Sequence, residues 1–499
     1  MINFSQAQKK FFQYLNFYSF CYLSLILFFA LLLCKPIDFT VQDIGRHLTN
    51  GREILSGNWK VLYSNHYSYT MPEAKFVNHH WLSGVFFFLI EQAAGLKTLH
   101  LFHILLYSTG LIFLLKIIKK HSNHFLTLTL GIAAALLLSA RAEIRPETFG
   151  YVFICHSLWQ LDKILSEKKI KWQQFLLLLV QQILWVNLHI SFIFGIFVFS
   201  VPILVQFLKN EKKFSKQLVF LNINLTLISL VNPHFLLGLI QPLAIFHDYG
   251  YKIVENQNLW FLLKIINKSN LYYWFLLLLT FLLVTWKNFL FDEDLIFAIT
   301  GLILGFIALR NLPLLAIFLL PYLGQKINQI ANKLQCTNWQ IEESTKKLFL
   351  LIIFSSILLI SYPTRLKNKI KLGDFSEQHQ AAEFFEKKQL KGPIFNNYDL
   401  GSYLIYHLYP HEKVFTDNRP EAYSKKFFEQ TYIPMQENPK IWSEMSKKYN
   451  FQTIFFGTRD LTPWGQKFLY LIKQNPNWQL TYEDQFCLIM KNVNLKSDL

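Results

Sequence analysis

Residues 17–33 read Phe17-Tyr18-Ser19-Phe20-Cys21-Tyr22-Leu23-Ser24-Leu25-Ile26-Leu27-Phe28-Phe29-Ala30-Leu31-Leu32-Leu33, without one charged side chain. Blocks of the same kind recur at Leu271–Trp286 and Leu348–Ile360. They approach or reach the roughly 20 residues that a helix needs to cross a bilayer. The chain has 499 residues, 52% hydrophobic and only 16% charged, against about 25% charged in soluble domains. A soluble enzyme, a disordered scaffold and a disulfide-rich secreted module are all excluded. Cys21, Cys34 and Cys155 lie in or beside apolar segments, and Cys336 and Cys487 are far apart, so no disulfide framework is implied.

The net charge of +17 does not mark a nucleic-acid partner. The positive residues sit in short runs between apolar blocks, which is how Lys and Arg set membrane orientation. Lys9 and Lys10 precede the first block and no small-residue cleavage site follows it, so it reads as a signal anchor with a cytoplasmic N-terminus. Lys116/Lys119/Lys120, Lys163/Lys168/Lys169/Lys171 and Lys209/Lys212/Lys213/Lys216 mark cytoplasmic loops, with a further basic stretch from Lys326 to Lys347. The turns at His189 and Asn232-Pro233-His234 carry no Lys or Arg and are external. Only one crossing fits between the first block and Lys116. Trp81–Gln92 is therefore a re-entrant or membrane-hugging helix on the outer face, and Leu99–Leu115 is the second span. The further spans are Phe125–Ser139, Thr148–Leu161, Phe175–Asn187, Ser191–Phe207, Leu218–Leu230, Leu271–Trp286, Leu295–Leu309, Leu312–Leu323 and Leu348–Ile360. The expected fold is an α-helical polytopic membrane protein with about eleven transmembrane helices.

Composition changes after Pro363. Residues 364–499 alternate helical periodicity (Ala381–Phe385, Leu400–Leu408, Phe468–Ile472) with short β-like runs (Pro393–Phe395, Val414–Thr416, Thr453–Phe456, Phe486–Met490). They read as a small extracytoplasmic α/β domain behind a transmembrane domain of residues 1–363.

The first external loop, residues 35–80, is dense in chemistry. Thr40 is the expected N-cap of a helix whose Val41, Ile44, Leu48 and Leu55 form an apolar stripe lying on the bilayer, and Gly57-Asn58 ends it. Asp43 and His47 are four residues apart and share a face. Such a pair can take a proton from an acceptor hydroxyl; equally, Asp43 can be a first-turn acid complementing the helix dipole.

The run Asp43-Ile44-Gly45-Arg46-His47-Leu48-Thr49-Asn50-Gly51-Arg52-Glu53-Ile54-Leu55, followed by Tyr67-Ser68-Tyr69-Thr70 and His79-His80-Trp81-Leu82, resembles the first extracytoplasmic loop of bacterial membrane glycosyltransferases of the GT-C superfamily. Arg145-Pro146-Glu147, Trp185-Val186-Asn187-Leu188-His189, Asn232-Pro233, Arg310-Asn311-Leu312-Pro313, the run Gly392–Leu404 and Val414–Arg419 extend the likeness to a broad family of such proteins. The resemblance implies juxtamembrane helices in the first loop, a polyprenyl-phosphate-linked sugar donor and a catalytic Asp, here Asp43. Gln42-Asp43 departs from the lipid A-modifying transferases, which often have adjacent acids there.

Four charged residues in Arg141-Ala142-Glu143-Ile144-Arg145-Pro146-Glu147 are costly at a membrane boundary unless paired or solvated. Arg141 and Arg145, with Arg46, read as a donor-phosphate clamp, and Glu143 and Glu147 as a second acidic site; the plainer reading is an ion-pair cluster fixing helix ends. Arg310 is either another phosphate ligand or a helix C-terminal cation. His79, His80, Asp417 and Arg419 are the candidates for acceptor placement, and Asp399 reads as a helix cap. Residues 248–270 read as a lid over a lipid-facing groove or as an interfacial loop. No zinc motif and no phosphate loop occurs; the only cofactor left open is a divalent cation.

The combined expectation is an inverting glycosyltransferase of the bacterial cytoplasmic membrane. It moves sugar from a polyprenyl-phosphate donor to a glycan, lipid or protein acceptor at the outer face. The rivals are a non-catalytic or transport protein for lipid-linked glycans, and a polymerase or ligase using diphosphate-linked donors.

Overall fold

The structure, a computed structural model, describes residues 17–209, 212–244, 248–262, 269–287, 289–335, 345 and 370–493. A helical bundle accounts for the chain up to Gln335. Its long helices are α1 (Phe17–Leu33), α3 (Trp81–His121), α4 (His124–Leu138), α5 (Glu147–Glu167), α6 (Trp172–Leu188), α7 (Ile193–Leu208), α8 (Lys212–Ile228), α10 (Ser269–Lys287), α11 (Glu293–Ile307) and α12 (Leu312–Gln335). Between them lie α2 (Ile44–Leu55) and the short α9 (Leu236–Ala244). Each sequence-read span up to Leu312–Leu323 falls on one of these helices. The last, Leu348–Ile360, lies outside the described residues, as do the boundary at Pro363 and the N-terminal lysines. Among the described residues, three helical stretches are long and apolar enough to cross a membrane: Trp81–His121, His124–Arg141 and Ile190–Leu208. Phe17–Leu33, Lys216–Ile228 and Trp274–Trp286 are apolar but shorter.

The helix ends sort by charge. Lys120 Nζ lies 2.7 Å from the Asp162 carboxylate, and Gln217 accepts from the Ile170 backbone N–H at 3.2 Å. These contacts gather the three basic loops at one end of the bundle. His100 bonds the Leu33 carbonyl at 3.1 Å near the other end, where Asp43 and the Arg141–Glu147 segment lie. α3 is broken at Gly95, whose φ of 77° and ψ of 173° are not helical. Glycine reaches this conformation without a Cβ penalty. The break separates Trp81–Ala94 from the membrane-length remainder, as the loop charges demanded.

Residues 370–493 carry a mixed four-stranded sheet, with β1 (Ile394–Phe395), β2 (Thr453–Gly457), β3 (Trp478–Glu483) and β4 (Cys487–Asn492) in the order β1-β2-β4-β3. β1 runs parallel to β2, and the other pairings are antiparallel. All five residues of β2 are buried, as expected of a central strand covered on both faces. α13 (Gln380–Lys387) packs on β3 and β4, and α14 (Gly401–Leu408) packs on α2. α15 (Pro439–Lys448) and α16 (Pro463–Ile472) follow. Val414–Thr416, expected as a strand, forms only a parallel bridge between Val414 and Ser68.

That bridge belongs to a larger junction. Ile37, Phe39, Ile44, Leu48 and Tyr67 of the first loop share one buried apolar cluster with Tyr403, Leu404, Phe455 and Ile489. Each such side chain contributes about 1.5–3 kcal/mol on burial. The apolar stripe of α2 is therefore packed within the protein. Nine of its residues are buried, because it is held between the first half of α3 and α14. Val41 and Leu55, expected on the apolar stripe, are the exposed ones, at 42% and 51%. Thr40 is not the cap either: its hydroxyl bonds Asp38 at 2.5 Å, and Asp43 occupies the N-cap position.

Candidate functional site

Asp43 stands at the start of α2 but makes no side-chain cap hydrogen bond, so its carboxylate is not committed to the helix. Helical spacing brings Arg46 Nη2 and His47 Nε2 to 3.6 Å from one of its oxygens. From the segment between α4 and α5, Arg145 Nε reaches the other oxygen at 3.5 Å. All three contacts exceed hydrogen-bond length. Asp43 Oδ1 is buried with no donor among the described residues, and so is Arg145 Nε with no acceptor. The result is a charged carboxylate with acceptor capacity to spare. One fifth of its side chain is open. Burial alone would raise its pKa; Arg145 above all, then His47 and Arg46, outweigh burial and hold the carboxyl well below the usual range.

Arg46 is fixed from the other domain. Its backbone N–H donates to Ser402 Oγ at 2.9 Å and its Nε to Asn418 Oδ1 at 3.3 Å. His47 stays a neutral imidazole near pH 7, because burial and the adjacent Arg46 depress its pKa to about 4. Its ring meets His80 edge-on at 5.7 Å, His80 lies 3.9 Å from His79, and His80 stacks on His189 at 5.0 Å. Burial likewise lowers His79 to about 3. This row of neutral rings walls the side of the site formed by the start of α3.

Arg141, from the short turn Ser139–Arg141, donates through Nε to Glu147 at 2.5 Å. Its Nη1 donates to Glu255, a residue that the sequence reading did not single out. Arg145 Nη1 donates to the other oxygen of Glu255 at 2.9 Å. The ion-pair cluster and the grouped guanidiniums are thus both present in one place. Arg141 Nη2 and Glu143 Oε2 are buried without partners among the described residues. Burial opposes the charge on Glu255, but Arg145 and Arg141 bring its pKa down to about 2. Arg310, in the turn Leu309–Asn311, donates to Asn256 Oδ1 at 2.8 Å, beside Glu255 in sequence. Asp43, His47, Arg46, Arg141, Arg145, Glu147 and Arg310 therefore converge, with Glu255 bridging Arg141 and Arg145.

Asp417 and Arg419 form a different unit. Arg419 Nη2 and Nε lie 2.6 and 2.7 Å from Asp417, and Nη2 also donates to Asn65 at 2.7 Å. The guanidinium lies over Phe76, 4.7 Å from the ring centre. Both side chains are almost wholly buried, at 2% and 0%. With their polar atoms spent on each other and on the first loop, they clasp the two parts of the chain and are not free to place an acceptor. Asp399 is not a cap: Leu400 occupies that position before α14. Burial, with Asp460 and Glu255 nearby, raises the Asp399 pKa to about 7.

Among the described residues, no group of three or more His, Cys, Asp or Glu side chains is placed to hold a metal ion. Asp43, Glu147 and Glu255 each face guanidiniums.

No protein-family model and no curated protein sequence matches the chain. Solved structures do. Archaeal oligosaccharyltransferase AglB from Archaeoglobus fulgidus, in complex with an inhibitory peptide and a dolichol-phosphate, matches with a TM-score of 0.60 at 10% identity, covering 96% of this chain and 74% of that one. ArnT from Cupriavidus metallidurans, solved in the apo state and bound to undecaprenyl phosphate, matches with a TM-score of 0.51 at 12% identity over 95% and 97% of the two chains. The fold is GT-C. The GT-C likeness covers bundle and C-terminal domain together, which agrees with the resemblance read from the first loop. At these identities it establishes architecture alone, and the chemistry rests on the residues above.

Proposed function

We propose that this chain is a membrane glycosyltransferase that moves a sugar from a polyprenyl-phosphate donor to an acceptor hydroxyl. One observation carries the reading: an ionised carboxylate with unspent acceptor capacity, Asp43, stands beside grouped guanidiniums at one end of a GT-C bundle. Asp43 takes the hydroxyl proton as the acceptor oxygen attacks the anomeric carbon. The bond from that carbon to the phosphate oxygen breaks, and the electron pair leaves with the lipid phosphate, inverting the centre. Arg145, Arg141 and Arg46 stabilise the phosphate charge as it grows. Arg145 couples the two events. While it faces Asp43 it weakens that carboxylate as a base; drawn toward a phosphate, it lets the basicity of Asp43 rise. His79 and His80 wall the site beside His47, which orients the carboxylate.

The chain then spans the bacterial cytoplasmic membrane about eleven times, with residues 1–363 as the membrane domain and residues 364–499 on the outer face beside the site. The partners are the lipid-linked donor, the bilayer and a glycan, lipid or protein acceptor. The matched structures support a lipid-phosphate partner, since one holds a dolichol-phosphate and another undecaprenyl phosphate.

The test is turnover of a labelled polyprenyl-monophosphate sugar by the purified chain. Asp43→Asn should cut transfer by about 10²–10⁴-fold while retaining lipid binding, and undiminished turnover would remove Asp43 from the role. Turnover of a diphosphate-linked donor alone would favour a polymerase or ligase. Lipid-linked glycan binding without turnover would favour a transport protein.

A further inference from the structure

Glu255 is the one acid between Asp248 and Asp292 in sequence, yet it reaches residues more than a hundred positions earlier. Each of its oxygens meets a different guanidinium, Arg141 and Arg145. That is how two arginines hold the two oxygens of a phosphodiester. Among the groups that ion-pair directly, the charges count evenly. Asp43, Glu147 and Glu255 are paired with Arg46, Arg141 and Arg145. Taking Glu255 away leaves one positive charge, which a singly charged phosphodiester restores.

The segment that carries Glu255 is anchored at both ends. Asp248 pairs with Lys425 at 2.5 Å, and Tyr251 stacks on Tyr398 at 4.2 Å and meets Phe428 at 5.1 Å, all in the C-terminal domain. Beyond Glu255, Asn256 accepts from Arg310, and the Gln257 carbonyl accepts from the Leu309 N–H at 3.2 Å. Residues 248–257 thus form a strap from the C-terminal domain across the guanidiniums to the start of α12. The Glu255 side chain remains one quarter exposed, so it can leave toward solvent without crossing the core.

We propose that Glu255 is an internal stand-in for the donor phosphate: the strap seats its carboxylate on Arg141 and Arg145 when the site is empty, and the lipid phosphodiester displaces it on binding. This rests on the reading of Arg141 and Arg145 as the phosphate clamp. It makes the strap a gate. The two guanidiniums are neutralised until a donor arrives, and the released strap, tethered through Tyr251, reports occupancy to the C-terminal domain.

The experiment measures binding of a polyprenyl-monophosphate sugar, the phosphodiester itself, to the full-length chain in nanodiscs, as wild type, Glu255→Gln, Tyr251→Ala and Arg145→Gln, with the thermal midpoint of each recorded. Glu255→Gln removes the competing charge and should bind about tenfold more tightly. Tyr251→Ala leaves every group at the clamp in place but frees the strap, and should also tighten binding. Arg145→Gln should weaken it about tenfold. Wild-type or weaker affinity in both Glu255→Gln and Tyr251→Ala, with Arg145→Gln impaired, overturns the stand-in and leaves the clamp standing. Wild-type affinity in Arg145→Gln overturns both. Should Glu255→Gln fail to fold, Tyr251→Ala decides alone.

Discussion

Asp43 and His47 sit one helical turn apart and differ in protonation, because burial and the adjacent guanidiniums both disfavour a positive imidazole, whereas at the carboxylate the guanidiniums outweigh burial. A positioned general base contributes about 10²–10⁴-fold to rate. Asp43→Asn should lose transfer by that factor, read as kcat on a monophosphate-linked donor with lipid affinity retained. His47 gives a pH prediction. Its folded pKa of about 4 lies below the unfolded value of roughly 6.5, so the unfolded chain binds more protons between those values. Its contribution is complete above pH 6.5 and is lost as pH falls toward 4, worth at most roughly 3 kcal/mol. The thermal midpoint should fall across that window, and His47→Gln should flatten the fall. The residue scale was only partly legible in advance. Asp43, Arg46 and His47 lie within one helical turn, and Arg141 and Arg145 within five positions, so local spacing exposed them. Glu255 stands alone in an aromatic loop, and nothing local tells that it folds back over a hundred residues.

At the scale of elements, the site depends on two glycines. Gly51 of α2 faces Gly84 of α3, and a Cβ on Gly84 would lie 2.7 Å from the His47 carbonyl oxygen. The backbones meet directly, which sets the distance between the Asp43 turn and the histidine row. Gly84→Ala should force α2 away from α3 at a cost of roughly 1–3 kcal/mol. The thermal midpoint reads that cost, and turnover should fall further than stability does. The helices of the bundle were legible because each is an apolar run bounded by polar residues, and the break at Gly95 because loop charges allowed only one crossing. The setting of α2 was not. Its apolar stripe needs a greasy partner, and periodicity cannot distinguish a bilayer from the apolar face of α14. β3 escaped notice for another reason: its burial is uneven along its length, with Gln479 and Leu480 exposed, so it shows no clean alternation.

At the scale of the molecule, the first loop and the C-terminal domain are one packed body. The Asp417–Arg419 pair lies at their junction with Asn65, Tyr67 and Phe76 around it. Breaking a buried pair from one side costs about 3–5 kcal/mol, whereas replacing both partners by apolar groups can be nearly neutral. Asp417→Leu should therefore destabilise more than Asp417→Leu with Arg419→Met. Limited proteolysis within residues 59–80 checks this, with faster cutting in the single variant. The α/β character of residues 370–493 was visible from composition. Their embrace of residues 35–80 was not, because it depends on contacts between segments over 300 positions apart.

The parallel bridges from Ile37 to Asp374 and from Ser68 to Val414 bear on how such a protein could be re-engineered or could diverge. The heritable module is not the C-terminal domain as cut at a sequence boundary. It is that domain together with the loop preceding Trp81, two stretches separated in the gene by the bulk of the helical bundle. A hybrid that borrows only one of them inherits mismatched halves of a single interface.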